Sequence, residues 1–278
     1  VNGRAAFGRD PLVPFRSQCS LAVSIDGDTW ALLNAAPDLR QQIIANPQLH
    51  PRTPPRSSPI ASVLLTGAEI DQVTGLLTLR ERQAFTLYGS QATLDALAMN
   101  PIFEALCDVV VRRPIAPGVP FHTLGALSVT PLDLPGKAPL YLERTRPDPT
   151  QSAPGDCLAF VLKHEGKRAV FAPGCARMTD ELAAACDGAD AVFFDGTLFT
   201  DVEMIAAGEG VKTGRRMGHM PMTGDGGTVA AFADLHPRRK YFIHINNTNP
   251  VLRYDSAERR ALAAAGWEIA EDGMEIAL

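Results

Sequence analysis

The chain has 278 residues, 46% hydrophobic and 21% charged, a balance that suits one large domain or two small ones with an ordinary core. Its net charge of −5 and the absence of any long Lys/Arg run argue against binding to nucleic acid and against a polybasic membrane patch. Five widely spaced cysteines, odd in number and without a CxxC pair, argue against a disulfide framework and for a reducing cytoplasm, and no apolar run is long enough for membrane insertion.

The opening stretch, VNGRAAFGRDPLVPF, lacks the apolar core of a signal peptide and does not read as the start of a folded domain. Residues 20–25 and 30–34 read as strands, with Asp26-Gly27 between them as a hairpin turn. A helix is expected over 38–45, a Pro-rich exposed loop over 50–59 and a buried strand over 60–65. Further strands are expected at 85–89, 108–111, 127–133, 158–164, 168–174, 191–196 and 240–245. Helices are expected at 90–99, 179–188, 226–235 and 256–266. Ser90, Thr179 and Ser256 are natural N-caps, Gly266 is a natural helix stop, and 143–156 is a second exposed loop. Hairpins come first, and strands then alternate with helices. The apolar runs have few polar gaps, as in sheets buried on both faces. This pattern predicts an α/β chain folded as one αββα sandwich over 1–278, not a doubly wound sheet or a barrel.

Four constellations carry chemical residue types, each at an expected strand end, where sites collect. The first is LLTGAEIDQVTGL (64–76), with Glu69, Asp71 and Gln72 just past a buried strand. These groups suit a hard or borderline cation; spacing alone favours a solvated turn whose acids favour the next helix. In the second, RRMGHMPMTGDGG (215–227), His219 precedes a Gly-rich lead into a helix. Lys212, Arg215 and Arg216 come before it and can pair with anions; the plainer reading is a connector with a surface histidine. The third, FIHINNTNPV (242–251), sets His244 in an apolar strand run, then Asn246, Asn247 and Asn249, which are turn formers or readers of a polar ligand. The fourth pairs FAPGCARMT (171–179) with FFDGTLF (193–199). Cys175 precedes a capped helix that would favour its thiolate, unless it is an inert buried thiol, and Asp195 ends a buried strand.

At this point the chain resembles the coenzyme PQQ synthesis protein B family, a branch of the metallo-β-lactamase superfamily. The resemblance rests on RSQCSLAVSIDGDTWALLNAAPDLRQQI, SPIASVLLTGAEIDQVTGLLTLRERQAFTLY, PGCAR, FFDGTLFTDVEMIAAGEGVKTGRRMGHMPM, FIHINNTNPVL and AGWEIAEDGMEI, which cover nearly the whole chain in order. It implies a four-layer αββα domain that acts in making pyrroloquinoline quinone (PQQ), a redox cofactor derived from linked Glu and Tyr residues of a precursor peptide. Two activities are associated with the family: iron-dependent oxygenation of the Tyr ring of a Glu-Tyr intermediate, and carriage of PQQ or its precursor toward the periplasm. By position, the resemblance puts Asp71 on the fold's motif aspartate and His244 on its final metal histidine. Cys175 falls on its bridging aspartate, and His219 on a second-sphere histidine of related phosphodiesterases. The expected metal ligands are therefore Asp71, His244, Glu69 and Gln72, holding Fe(II) or another divalent ion. His219, Asp195 and Cys175 are expected to take part in catalysis, and Arg216, Lys212, Asn246 and Asn247 to bind PQQ or its precursor. Asp71, Cys175, His219 and His244 are expected to converge on one cleft.

Two departures stand out. The superfamily's His-x-His-x-Asp-His positions hold Gly67, Glu69, Asp71 and Gln72, and Gln72 replaces a histidine that the family usually carries. The family's first strand and its zinc-binding cysteine cluster have no match in the sequence, so a structural zinc is expected to be absent and a sheet edge to be left unpaired. A homodimer is the assembly left open.

Overall fold

The computed structural model describes residues 2–53, 56–146, 148 and 151–278; the expected loops at 50–59 and 143–156 fall partly outside these. β1 (Leu21–Val23) and β2 (Trp30–Leu33) pair antiparallel, with Leu21 opposite Leu33. Asp26 Oδ1 ties their turn by accepting from the amides of Asp28 and Thr29, both at 2.8 Å, and Gly27 takes a φ of +75°. β3 (Ile60–Leu64), β4 (Phe85–Ser90) and β5 (Val110–Ile115) extend this sheet in parallel, in the order β1-β2-β3-β4-β5. The second sheet contains β6 (Phe121–Thr123), β7 (Leu127–Asp133), β8 (Leu158–His164), β9 (Lys167–Ala172), β10 (Ala191–Asp195), β11 (Lys240–Ile243) and β12 (Glu268–Ile269). Its order is β12-β11-β10-β9-β8-β7-β6, antiparallel up to β9 and parallel from there to β12.

The helices are α1 (Asn2–Phe7), α2 (Leu39–Ala45), α3 (Ile70–Val73), α4 (Gln91–Ala98), α5 (Asp180–Cys186), α6 (Glu203–Ala206), α7 (Thr228–Ala231) and α8 (Ala257–Ala264). Strand alternation sorts the core into three layers. In β10, Ala191 and Phe193 face the other sheet, while Val192 and Phe194 face the helices. Between the sheets, Leu33, Leu64 and Tyr88 meet Phe160, Phe171, Phe193 and Tyr241. Outside the second sheet, Phe194, Phe242 and Trp267 pack with Leu182 of α5 and Leu262 of α8. Outside the first, Leu32, Val63 and Leu87 pack with Leu39 of α2 and Leu94 of α4. This is the expected αββα sandwich. Both faces of the central strands are buried, which is why they read as continuous apolar runs.

The three expected caps are made: Ser90 Oγ accepts from Thr93 N, Thr179 Oγ1 from Leu182 N, and Ser256 Oγ from Arg259 N, at 3.0–3.2 Å. Gly266, at φ +75°, ends α8. Three expectations are corrected. The chain opens on a helix, α1, anchored by Asn2 Nδ2 to the carbonyls of Asn247 and Asn249 at 2.9 and 2.8 Å. The helix at 226–235 shrinks to α7, because glycines precede it and no side chain caps it. The last strand run ends at Ile243, because His244 takes a φ of +53°. Among the described residues no helix is long and apolar enough to cross a membrane.

Candidate metal and ligand site

β10 and β11 are parallel neighbours, with Asp195 opposite Ile243, so their C-terminal ends lie side by side. Asp195 is fully buried at the end of β10. Its Oδ2 accepts from Cys175 N at 3.0 Å and bonds His219 Nδ1 at 2.7 Å, and its Oδ1 accepts from Thr197 N at 3.0 Å. Thr197 Oγ1 lies 2.6 Å from Asp195 Oδ1, 3.0 Å from His219 Nδ1 and 2.9 Å from His244 Nδ1. A hydroxyl has one proton to give. The shortest contact, to a carboxylate, takes it, so Thr197 Oγ1 accepts from His244 Nδ1–H, while the one proton on His219 Nδ1 goes to the nearer Asp195 Oδ2. Both rings are thereby oriented from behind through Nδ1, a common device for metal-site histidines. The rings stack with centroids 5.2 Å apart. His244 Nε2 then meets Asp71 Oδ2 at 2.8 Å, which closes a link between the two sheets.

His244 sits in the left-handed region (φ +53°), where a non-glycine residue is uncommon and such conformations cluster at functional sites. Burial pushes the Asp71 carboxyl up, but the hydrogen bond and charge of His244 outweigh it and hold it below the ordinary carboxylate range. Burial pushes the His244 imidazole down, but Asp71 and then Asp195 outweigh it and raise it. Asp195 also ends below its ordinary value, against its own burial, because His219, His244 and Thr197 stabilise the anion.

Asp71, His219 and His244 come together as expected, with Asp195 behind them. Cys175 is a correction. Its amide reaches Asp195, but its thiol is fully buried and points to the Arg177 carbonyl at 3.0 Å. Burial and the charge of Asp195 push the thiol's pKa up, so no thiolate is favoured. Glu69 and Gln72 are not turned to the metal position either. Gln72 Oε1 accepts from Glu69 N at 3.0 Å and caps α3, while Glu69 Oε1 pairs with Lys137 Nζ at 2.5 Å. Carboxylate and amide are consumed by the helix start and a neighbouring cation.

The expected ligand-binding residues are divided. Arg216 is exposed, and among the described residues its guanidinium makes no hydrogen bond or ion pair. Lys212 Nζ lies 3.9 Å from Glu143 Oε2. Asn246 Nδ2 donates to Thr248 Oγ1 at 2.8 Å, and Thr248 in turn donates to buried Glu203 at 2.6 Å, so this amide braces the loop. Asn247 is exposed, and Asn249 is a buried turn former whose Oδ1 accepts from Val251 N. Sequence reasoning missed Thr197 and Lys137. A threonine two residues past a buried strand-end aspartate was a usable signal for the first; a lone lysine in a loop offers none for the second.

The donor kinds fit one divalent cation. Asp195, His219 and His244 bring ligand atoms within 4.8 Å of one another. Asp195 nevertheless has no exposed edge, and its oxygens already serve two amides, a hydroxyl and an imidazole, so it orients ligands. Asp71 and His244, which touch each other through a carboxylate oxygen and a ring nitrogen, have the atoms to hold an ion, and the His219 ring stacks on that of His244. Two imidazoles and one carboxylate are the donor set of mononuclear non-haem iron sites. They are too few for a dinuclear zinc cradle.

Residues 29–245 match the family model described as "Beta-lactamase superfamily domain". A coenzyme PQQ synthesis protein B from Gluconacetobacter diazotrophicus is 54% identical over 281 residues, covering 98% of this chain and 91% of that protein. One from a Methylobacterium species is 48% identical over 274 residues, covering 98% and 91%. The crystal structure of Zn(2+)-bound PqqB from Methylobacterium extorquens superposes with a TM-score of 0.96 at 47% identity, covering 100% of this chain and 93% of that one. A diphosphatase from the PhnP family, 18% identical, has a TM-score of 0.67 over 95% of this chain and 85% of its own, and shares the fold alone. Identity of about half across nearly the full length, together with the superposed sheets, settles the affiliation: the chain belongs to the coenzyme PQQ synthesis protein B family, on the metallo-β-lactamase fold.

Proposed function

We propose that this member of a PQQ biosynthesis family carries out a metal-dependent oxygenation of a Glu-Tyr-derived PQQ precursor. The observation that carries the reading is the donor set: Asp71 and His244 in contact at 2.8 Å, with the His219 ring stacked alongside. Asp71, His244 and His219 would hold the ion, and Fe(II) at such a site supplies dioxygen activation for an electron-rich ring. The remaining steps belong to the chain. Thr197 and Asp195 engage the two rings by Nδ1, so Nε2 of each is the nitrogen left to bind. Asp195 bonds His219 Nδ1 from behind and so fixes the orientation of that ring. Arg216 and Lys212 orient the substrate carboxylates, and Asn247 offers an exposed amide.

A second reading is carriage of PQQ or its precursor. The observation favouring it is Gln72, whose amide is spent on capping α3 where the family usually has a histidine. One experiment separates the two. The protein is loaded anaerobically with Fe(II), analysed for metal, then given the Glu-Tyr intermediate and dioxygen. Oxygenation predicts a single tightly held equivalent, lost in Asp71→Ala and His244→Ala, and a ring that gains oxygen. An unloaded protein that binds PQQ as well as the loaded one, with no oxygen gained by the ring, supports the carrier and rejects the oxygenase.

A further inference from the structure

Lys137 lies in the loop after β7, and its ammonium occupies the seam between the two arms of the site. On one side it bonds Glu69, two residues before Asp71. On the other its stem packs on Gly218, the residue before His219; a Cβ at 218 would stand 3.2 Å from Lys137 Cγ. Glu69 is a firmly held partner, bonded to Lys137 at 2.5 Å and to Leu140 N at 3.1 Å. Glu143 is different. It rides on the short 3-10 turn Leu140–Thr145, with one oxygen 3.7 Å from Lys137 Nζ and the other 3.9 Å from Lys212 Nζ. Neither distance is a hydrogen bond. Its carboxylate thus sits between two ammonium groups and bonds neither. The side chains are part-buried, with 17% of Lys137, 22% of Glu143 and 43% of Lys212 exposed. Tyr141 Oη donates to Ala68 O at 2.9 Å, so the turn lies against the loop that leads to Asp71.

We infer that Lys137 and Lys212 form a two-ammonium clamp for a carboxylate of the bound ligand, and that Glu143 is the clamp's exchangeable internal occupant. This rests on the reading that the site takes an acidic, PQQ-like ligand. An incoming carboxylate that reaches hydrogen-bonding distance of both lysines replaces the long contacts of Glu143, which turns out to water on its 3-10 turn. A ligand without that carboxylate leaves Glu143 in place and gains nothing from the two ammonium groups, so the clamp favours acidic molecules. The exchange keeps the local charge constant, because one carboxylate leaves as another arrives. Lys137 is thereby a specificity-determining residue beside the metal ligands.

The test measures binding of PQQ and, as an unrelated tricarboxylate probe, citrate, by calorimetry on the full chain. Glu143→Gln removes the internal competitor and is expected to tighten both by about threefold, the scale of an exposed ion pair. Lys137→Met is expected to weaken both by at least about tenfold, as loss of a charge-assisted hydrogen bond does, and Lys137→Arg to restore most of it. If Lys137→Met does not fold, Lys212→Met, at a more open position, carries the same expectation. Unchanged PQQ affinity in Glu143→Gln and the lysine variants, or weaker binding in Glu143→Gln, overturns the clamp and leaves the proposed function standing. If citrate follows the pattern while PQQ does not bind, the clamp stands and the PQQ reading falls. No binding of either anion overturns both.

Discussion

Replacing Thr197 with valine tests whether one hydroxyl orients the metal site. Valine keeps the shape, so packing changes little; what disappears are three polar contacts. Asp195 keeps the amides of Thr197 and Cys175, and His219 keeps its 2.7 Å bond to Asp195. His244 is left worse off. Its Nδ1 loses the 2.9 Å contact to Thr197, and the next acceptor, Asp195 Oδ1, is 3.9 Å away. The cost therefore concentrates on one part-buried imidazole and one buried carboxylate. A hydrogen bond to a charged group is worth roughly 1.5–3 kcal/mol, so the metal-free protein should lose about 2–3 kcal/mol in urea denaturation. A lost second-layer partner of a metal histidine costs on the order of 10–100-fold in metal affinity, read by anaerobic Fe(II) titration. Thr197→Ser retains the hydroxyl and should stay near the parent in both assays. Parental metal affinity in Thr197→Val would show that His244 is held by its strained backbone alone.

Three further outcomes follow from particular contacts. Gln72→Ala should cost about 1 kcal/mol of stability, the value of a lost N-terminal cap, while Fe(II) affinity stays at the parental level; Gln72→His, which returns an imidazole to the motif, should tighten Fe(II), and no change would mean that position 72 faces only its own helix. Glu203 is buried, and burial raises its pKa in the folded state. Its contribution is therefore complete below the unfolded carboxylate pKa and is lost as pH rises through the higher folded value, so Glu203→Gln should gain stability relative to the parent as pH rises from about 4 through that value. A difference in urea midpoint that stays constant across this range would contradict the assignment. Arg216→Ala should weaken PQQ binding by about 1.5–3 kcal/mol in calorimetry and leave metal binding untouched; equal PQQ affinity would remove Arg216 from the ligand site.

The central strands were legible because their burial on both faces leaves a continuous apolar signature, and the caps because Ser90, Thr179 and Ser256 act within three residues of themselves. β6 and β12, of three and two residues, are too short for any periodicity to register. α1 is held by a contact from Asn2 to the 247–249 turn, and such a long-range bond leaves no local trace. Within the site, the strand-end positions of Asp71, Asp195 and His244 were readable, whereas the direction of each side chain was not. Cys175 and Asp195 looked equivalent as residues after apolar strands. The structure turns the thiol into the core and the carboxylate toward two imidazoles. Glu69 and Gln72 looked like donors beside Asp71, because sequence spacing carries no information about a lysine that arrives from residue 137.

The altered motif has a physical logic of its own. At Gly67, where the superfamily carries its first motif histidine, a Cβ would lie 2.6 Å from the Asp156 carbonyl and 2.7 Å from Gln72 Oε1. A histidine there requires the 155–157 segment to move, yet that segment is fixed by the Gly67–Cys157 bridge and by the bond from Leu158 N to Thr66 O at 2.7 Å. Gln72 fills the same space and caps the helix that presents Asp71. Two of the four motif positions thus close the loop instead of binding metal, and a third, Glu69, faces Lys137. Asp71 alone projects across the inter-sheet seam to His244. A cation bound by Asp71 and His244 would be held by few protein donors. Hydrolysis by a bridged hydroxide needs the donors this loop has given up. The proposed oxygenation, in which dioxygen and an acidic substrate would share one metal, calls for open positions at that metal.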